Sequence, residues 1–188
     1  MKSSSLRLVL MTACAAIVCG TSLAANLQIT SSAFPPNGAI PSKYTCDGQS
    51  VTPPLAFSSV PAKTQSLVLI VDDPDVPKNL MPSGVFDHWL VWDLPADSKG
   101  FAEGAGKGGI NGMGQQGYIG PCPPDREHRY FFKLYALDTK LTGAKIANKA
   151  DLEGAMKGHI IEQAELIGRY LKANNRDQGR TPAPVPGK

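Results

Sequence analysis

"HRYFFKLYAL", His128 to Leu137, is the stretch on which the reading of the fold turns. Side chains alternate across a β-strand, so His128, Tyr130, Phe132, Leu134 and Ala136 fall on one face. That face is mostly apolar, as for a strand lying on a core. "QSLVLIV" (residues 65–71) is apolar on both alternating sets, the pattern of a central strand covered on both sides. "HWLVWDL" (residues 88–94) reads the same way and stops at Pro95. Residues 27–30 and 55–58 are shorter strand candidates. Turn signals crowd the gaps, among them Pro35-Pro36-Asn37-Gly38, Asp47-Gly48 and Pro53-Pro54. The expectation is a mainly β protein of two packed sheets.

One helix is expected late in the chain. Asn148 with Asp151 three residues on has the form of a helix start. Leu152, Met156, Ile160, Ala164, Ile167 and Leu171 then recur at helical spacing, which predicts a helix running through Ala173 and packed on the core. His159 borders this stripe and reads as a helix histidine with a local partner. From residue 174 the proline-containing "NNRDQGRTPAPVPGK" lacks periodicity and reads as an extended tail.

The first residues read differently from the rest. Lys2 and Arg7 precede the apolar run 8–18 and the small residues Ser22-Leu23-Ala24, the layout of a secretory signal cut after Ala24. The run is too short to span a bilayer as a helix. Lipoprotein processing at Cys14 is the alternative, and it would leave a very short apolar segment. Residues 25–173 are then one domain with its own core. The full chain has 19 basic and 16 acidic residues, and without Lys2 and Arg7 it has 17 against 16. No basic block remains to suggest nucleic acid or an anionic membrane face. Export also leaves Cys46 and Cys122 as a pair in an oxidising setting, where a disulfide is favoured over two free buried thiols. Closing that loop is worth roughly 4 kcal/mol in the chain-entropy picture.

Several familiar chemistries are tested and fail. "GAGKGG" (Gly104–Gly109) fits a dinucleotide fingerprint in letters only, since no strand precedes it and no helix follows; it reads as a flexible loop. "DDPDVP" (Asp72–Pro77) starts like a calcium loop, but Pro77 and Lys78 stand where a ligand and a glycine are needed. Aspartates beside proline are ordinary turn formers, yet three carboxylates in four residues are more than a turn requires. No hydrolase nucleophile motif is present. His88, His128 and an aspartate could form a two-histidine-one-carboxylate metal set, although nothing in their spacing brings them together.

"CDGQSVTPPLAF", "DDPDVP", "DHWLVWDLP", "GYIGPCPP" and "HRYFFKLYALD" occur in this order, followed by "AMKGHIIEQAELIGRY". Together they resemble the phosphatidylethanolamine-binding protein family, in its bacterial Raf-kinase-inhibitor-like branch, over residues 27–172. The resemblance implies a two-sheet β-sandwich with a C-terminal helix and a small pocket for phosphate or phosphorylated head groups. It places Asp73, His88, His128 and Tyr130 in the pocket and makes Cys122, Pro123 and Pro124 a wall. Histidines and a tyrosine hydroxyl would donate to the anion, and Asp73 would raise the histidine pKa values, so that affinity falls as pH rises. Val76 departs from the alanine common in this pattern, and Asp125, Arg126 and Glu127 change the charge of the rim. The expected protein is periplasmic or secreted, non-catalytic and without cofactor, with a small anionic ligand, an unidentified protein partner and a homodimer among its associations. The alternative is a hydrolase-like or metal-dependent enzyme acting on a phosphorylated substrate through the same histidines and aspartate.

Overall fold

The structure is a computed structural model that describes residues 26–175. The expected leader over residues 1–24 with its cleavage site, and all but the first two residues of the tail expected over 174–188, lie outside the described residues. Among the described residues, seven strands form two antiparallel sheets. The smaller sheet has the order β1 (Gln28–Thr30), β2 (Leu55–Ser58), β5 (Gly100–Phe101). The larger has the order β4 (Phe86–Pro95), β3 (Ser66–Asp73), β6 (His128–Leu137), β7 (Ile160–Tyr170). Both central expectations hold: β3 is buried along its whole length, and alternate β6 residues from His128 to Ala136 are buried.

The parity of β3 sorts the protein into layers. Leu67, Leu69 and Val71 pack with Phe132 and Leu134 and with Ile29, Leu55 and Phe57 between the two sheets. Val68 and Ile70 point the other way, into a second cluster with Leu152 and Met156 of the helix α1 (Lys149–Met156). Asp73 and Asp72 continue these two sets at the end of the strand, so consecutive carboxylates leave on opposite faces.

The helix is shorter than its periodicity predicts. Asn148 caps it as expected, its side chain accepting the Asp151 N–H at 3.0 Å. The helix ends at Met156, and Gly158 turns the chain with φ of 83°. Ile160–Tyr170 is then a strand paired with β6 from Leu137↔Ile160 to His128↔Tyr170. A spacing of four residues satisfies both a helical and a strand period, so Ile160 and Ala164 fit either. The deciding set is Ala164, Leu166, Gly168 and Tyr170, more buried than the intervening residues. Pairing also supplies partners for the β6 backbone that a helix would leave bare. His159 has the local partner its sequence position suggests, Asp138, at 2.9 Å.

The glycine-rich segment is likewise not a free loop. Ile110 exchanges both backbone hydrogen bonds with Leu90, and Gly112 N–H donates to the Asp87 carbonyl, so the segment covers the outer edge of β4. The approach requires glycine at 109, where φ is 74° and an added Cβ would lie 2.2 Å from the Leu90 oxygen.

Candidate functional site

A cavity of about 480 Å³ opens where β3, β4 and the segment 119–124 meet. Asp73, His88, Cys122 and Pro124 line it, together with Cys46, Ser50, Val76, Leu80, Phe86 and Ile119. His88 reaches it through an irregularity in pairing. Val71 pairs with Trp89 and Asp72 with Asp87, so His88 is the extra residue of a β-bulge. Bulges re-aim side chains, and this one lets Phe86, opposite Asp73, and His88 serve the same cavity.

The His88 ring is fixed on three sides. Nδ1 lies 2.7 Å from the Ile119 carbonyl, to which it donates. Phe86 and Tyr130 meet the ring edge-to-face, with centroids at 4.9 and 5.1 Å. Burial lowers its pKa, and the Ile119 carbonyl and Asp73 do not offset that. Asp73 does pull this pKa upward, as expected, but the net shift is downward, because desolvation disfavours the cation more than the neighbouring carboxylate favours it. In the neutral ring Nε2 is an acceptor.

His128, Tyr130 and Pro123 are not among the residues that line the cavity; His128 and Tyr130 stand behind it, against Asp73 and His88. His128 is fully buried, with Nδ1 2.7 Å from Asp73 and Nε2 2.8 Å from Asp125. Both nitrogens donate at once only in the imidazolium form. Asp73 is also the acceptor for the Asp75 N–H at 2.8 Å, so both its oxygens have donors. Burial works against ionisation of Asp125, but hydrogen bonds from His128 and the Arg126 backbone outweigh it and lower its pKa. Tyr130 is buried, and desolvation first, then Asp73, push its hydroxyl above the ordinary tyrosine range. Its oxygen meets no hydrogen-bond partner of acceptable geometry.

Asp75 shows why this stretch carries three carboxylates. It accepts from the Arg129 backbone N–H, Nε and guanidinium at 2.7–2.9 Å. The Arg129 hydrogen bonds lower its pKa to about 2, with burial opposing. Each of the three therefore has its own partner: Asp72 takes lysines, Asp73 a histidine and Asp75 an arginine.

The remaining wall is tied to the loop after the short 3-10 turn Ser42–Tyr44. Cys46 and Cys122 form a disulfide across 76 residues of sequence, with their Cα atoms 5.3 Å apart. Cys46 N–H donates to the Pro121 carbonyl, and Gly120 N–H to Ser50 Oγ at 2.8 Å. Ser50 adopts φ of 54°, a left-handed conformation that costs a non-glycine residue about 1 kcal/mol. Only glycine fits at 120, where a Cβ would lie 2.6 Å from the Tyr44 oxygen. Sequence reasoning missed Ser50, although it lies within the motif "CDGQSVTPPLAF". It treated Asp125 as a rim charge, whereas the structure makes it the second acceptor of His128. The metal option is not supported by the donor geometry: His128 is held by two carboxylates, and among the described residues no group of three or more His, Cys, Asp or Glu is placed to share an ion. Also among the described residues, no helix is long and apolar enough to cross a membrane.

Residues 30–171 match the family model of the phosphatidylethanolamine-binding proteins. A UPF0098 protein of Chlamydia pneumoniae is 48% identical over 150 residues, covering 78% of this chain and all of that protein. One from Methanothermobacter thermautotrophicus is 46% identical over 155 residues, covering 78% and 99%. The crystal structure of a Chlamydia trachomatis protein, named a phosphatidylethanolamine-binding protein homolog, superposes with a TM-score of 0.74 at 47% identity, over 78% of this chain and 98% of that one. Escherichia coli YbcL, named a member of the mammalian family, gives 0.67 at 28% identity, over 79% and 100%. The mainly β fold of two antiparallel sheets and one helix agrees with these matches, and the chain belongs to the phosphatidylethanolamine-binding protein family.

Proposed function

We propose that this chain is an exported, non-catalytic binding protein whose cavity holds a small anion, phosphate or a phosphorylated head group, and which modulates a partner protein. The observation that carries the reading is the convergence of His88, Asp73 and Ser50 on one cavity whose walls are otherwise largely apolar. Such sites bind small molecules by a few placed polar groups. The ordered elements around it favour binding over turnover. Cys46 and Cys122 are joined and supply no thiolate, and Ser50 Oγ already accepts the Gly120 N–H.

A protonated phosphate suits this polar set better than a bare dianion. Its O–H can donate to His88 Nε2, while Ser50 retains a hydroxyl proton to give. Anion affinity therefore falls as pH rises, because both the ligand proton and any His88 imidazolium are lost. Sulfate keeps its charge over this range and isolates the protein's share. Calorimetry of the mature protein with inorganic phosphate and with sulfate at pH 5 and pH 8 tests the reading. Expected are phosphate binding that His88→Ala weakens at least tenfold, and sulfate binding confined to the acidic side. Phosphate affinity unaffected by His88→Ala would refute it.

A further inference from the structure

The disulfide between Cys46 and Cys122 lies at the surface rather than in the core, and both of its cysteines are exposed. Each is presented by a backbone that is itself held down. Thr45, beside Cys46, is buried, and its hydroxyl donates to the Ser42 carbonyl at 2.9 Å. Cys122 stands between Pro121 and Pro123, both buried. The two segments also grip each other without their sulfurs. Cys46 N–H donates to the Pro121 carbonyl, Gly120 N–H to Ser50 Oγ, and the Tyr118 hydroxyl to the Tyr44 carbonyl at 3.2 Å. Asp47 is tied in turn to the end of β7, accepting from the Tyr170 hydroxyl and the Ala173 N–H. A disulfide buried in a core is reached by a thiol only after unfolding. Exposed ones are attacked directly and tend to be the labile ones.

We propose that Cys46–Cys122 is a thiol-exchange site that opens within the folded protein, its reactant a low-molecular-weight thiol. The thiolate attacks one cysteine sulfur and bonds to it. The Cys46–Cys122 bond breaks, and the other cysteine leaves as a thiolate. This first step exchanges one disulfide for another, with no net oxidation or reduction. A second small thiolate then attacks the sulfur of the first and expels the protein's. The small thiols leave as their own disulfide, and the protein gains two electrons and, on protonation, two protons. Without that second attack the freed cysteine closes the bond again, because anchored backbones with Cα atoms 5.3 Å apart keep it within reach. Both cysteines line the cavity, so a thiol held in the mixed disulfide is attached to the cavity's own wall. The disulfide stabilises chiefly through the unfolded chain, so the dithiol form melts lower and keeps its fold.

Dithiothreitol, added to the mature protein under native conditions and in denaturant, tests this, with timed alkylation and peptide mass mapping at Cys46 and Cys122. Native reduction is expected to be first order in dithiothreitol and within tenfold of the rate in denaturant. The resulting dithiol form should still melt cooperatively. Glutathione, added with iodoacetamide to trap the freed cysteine, should leave a mixed disulfide on one of the two peptides and an alkylated cysteine on the other. A native rate more than tenfold slower than in denaturant, or one that stops rising with dithiothreitol because unfolding limits it, overturns the inference. So does a dithiol form without a cooperative melt, or the absence of the trapped glutathione adduct. None of these outcomes depends on whether the cavity binds an anion.

Discussion

Asp72 and Asp73 are adjacent, nearly equally buried, and built into opposite kinds of environment. Asp72 faces α1. Its Oδ2 accepts from Lys133 at 2.9 Å and from Lys149, and its cross-strand partner is Asp87. Burial raises the Asp87 pKa against the pull of Lys149, which lies 3.6 Å away. Burial would lower the pKa of Lys149, but Asp72 and Asp87 more than offset it and the net shift is upward. This side is a partly buried charge cluster beside a helix. Asp73 faces the cavity and is compensated by an imidazole that itself lies between two carboxylates. One side uses cations with high pKa values and holds the helix to the sheet. The other uses histidines that set Asp73 and the His88 ring in place at the cavity wall.

The largest expected effect is on the cavity side. Replacing both Cys46 and Cys122 by alanine removes the tie between the two walls and should cost about 4 kcal/mol of stability. Chemical denaturation measures this, and an unchanged midpoint would mean that the hydrogen bonds at Cys46 and Gly120 hold the wall alone. Next comes Asp72→Asn, which leaves Lys133 and Lys149 without their carboxylate; about 2–3 kcal/mol is expected, because both lysines keep some solvent. Phosphate affinity should stay within twofold in that variant. If it does not, the two faces are coupled through β3.

The two sides should also respond to pH in opposite directions. The folded pKa of His88 lies below its unfolded value near 6.5, so the folded state binds fewer protons there. That contribution is complete above pH ~6.5 and is lost as pH falls. Asp75 adds a second acidic loss, beginning below pH ~4 and continuing towards its folded pKa of about 2. Lys149 is raised, so its contribution is present below pH ~10 and lost as pH rises through the folded value. Melting temperature should therefore fall between pH 7 and 5 in the native chain and less steeply in His88→Ala. Lys149→Met should flatten the alkaline limb instead. Equal acid slopes for the native chain and His88→Ala would remove His88 from this account.

The smallest effect is at Ser50. Ser50→Ala keeps the left-handed strain and removes the acceptor of the Gly120 N–H, for a loss of about 1 kcal/mol. Ser50→Gly loses the same hydrogen bond but relieves the strain, and should be the more stable of the two in thermal melts. The reverse order would show that the strain is not real.

Much of the fold was legible because it follows from period two. β3 and β6 announce themselves by apolar residues on one or both alternating faces, and the pairing of Cys46 with Cys122 matches the expectation drawn from the two cysteines beyond the first residues. Three features were hidden for identifiable reasons. Ile160 and Ala164 satisfy the strand and helix periods together, so only the pairing with β6 separates them. His88 sits on a bulge, and no alternation rule anticipates an extra residue. Ser50 and Asp125 belong to the site through a backbone N–H and a histidine nitrogen, contacts that exist only once distant segments are folded together. The motif residues at the ends of β3, β4 and β6 were identified as a group; which of them touch the cavity and which stand behind it was not.

The central claim is that binding belongs to the Asp73 side and structural support to the Asp72 side. Phosphate calorimetry and thermal melts on His88→Ala and Asp72→Asn, measured side by side, test it most directly. The account predicts at least a tenfold loss of affinity in His88→Ala, and for Asp72→Asn an affinity within twofold of native with the larger loss of stability. Weaker phosphate binding in Asp72→Asn beside native binding in His88→Ala would contradict it.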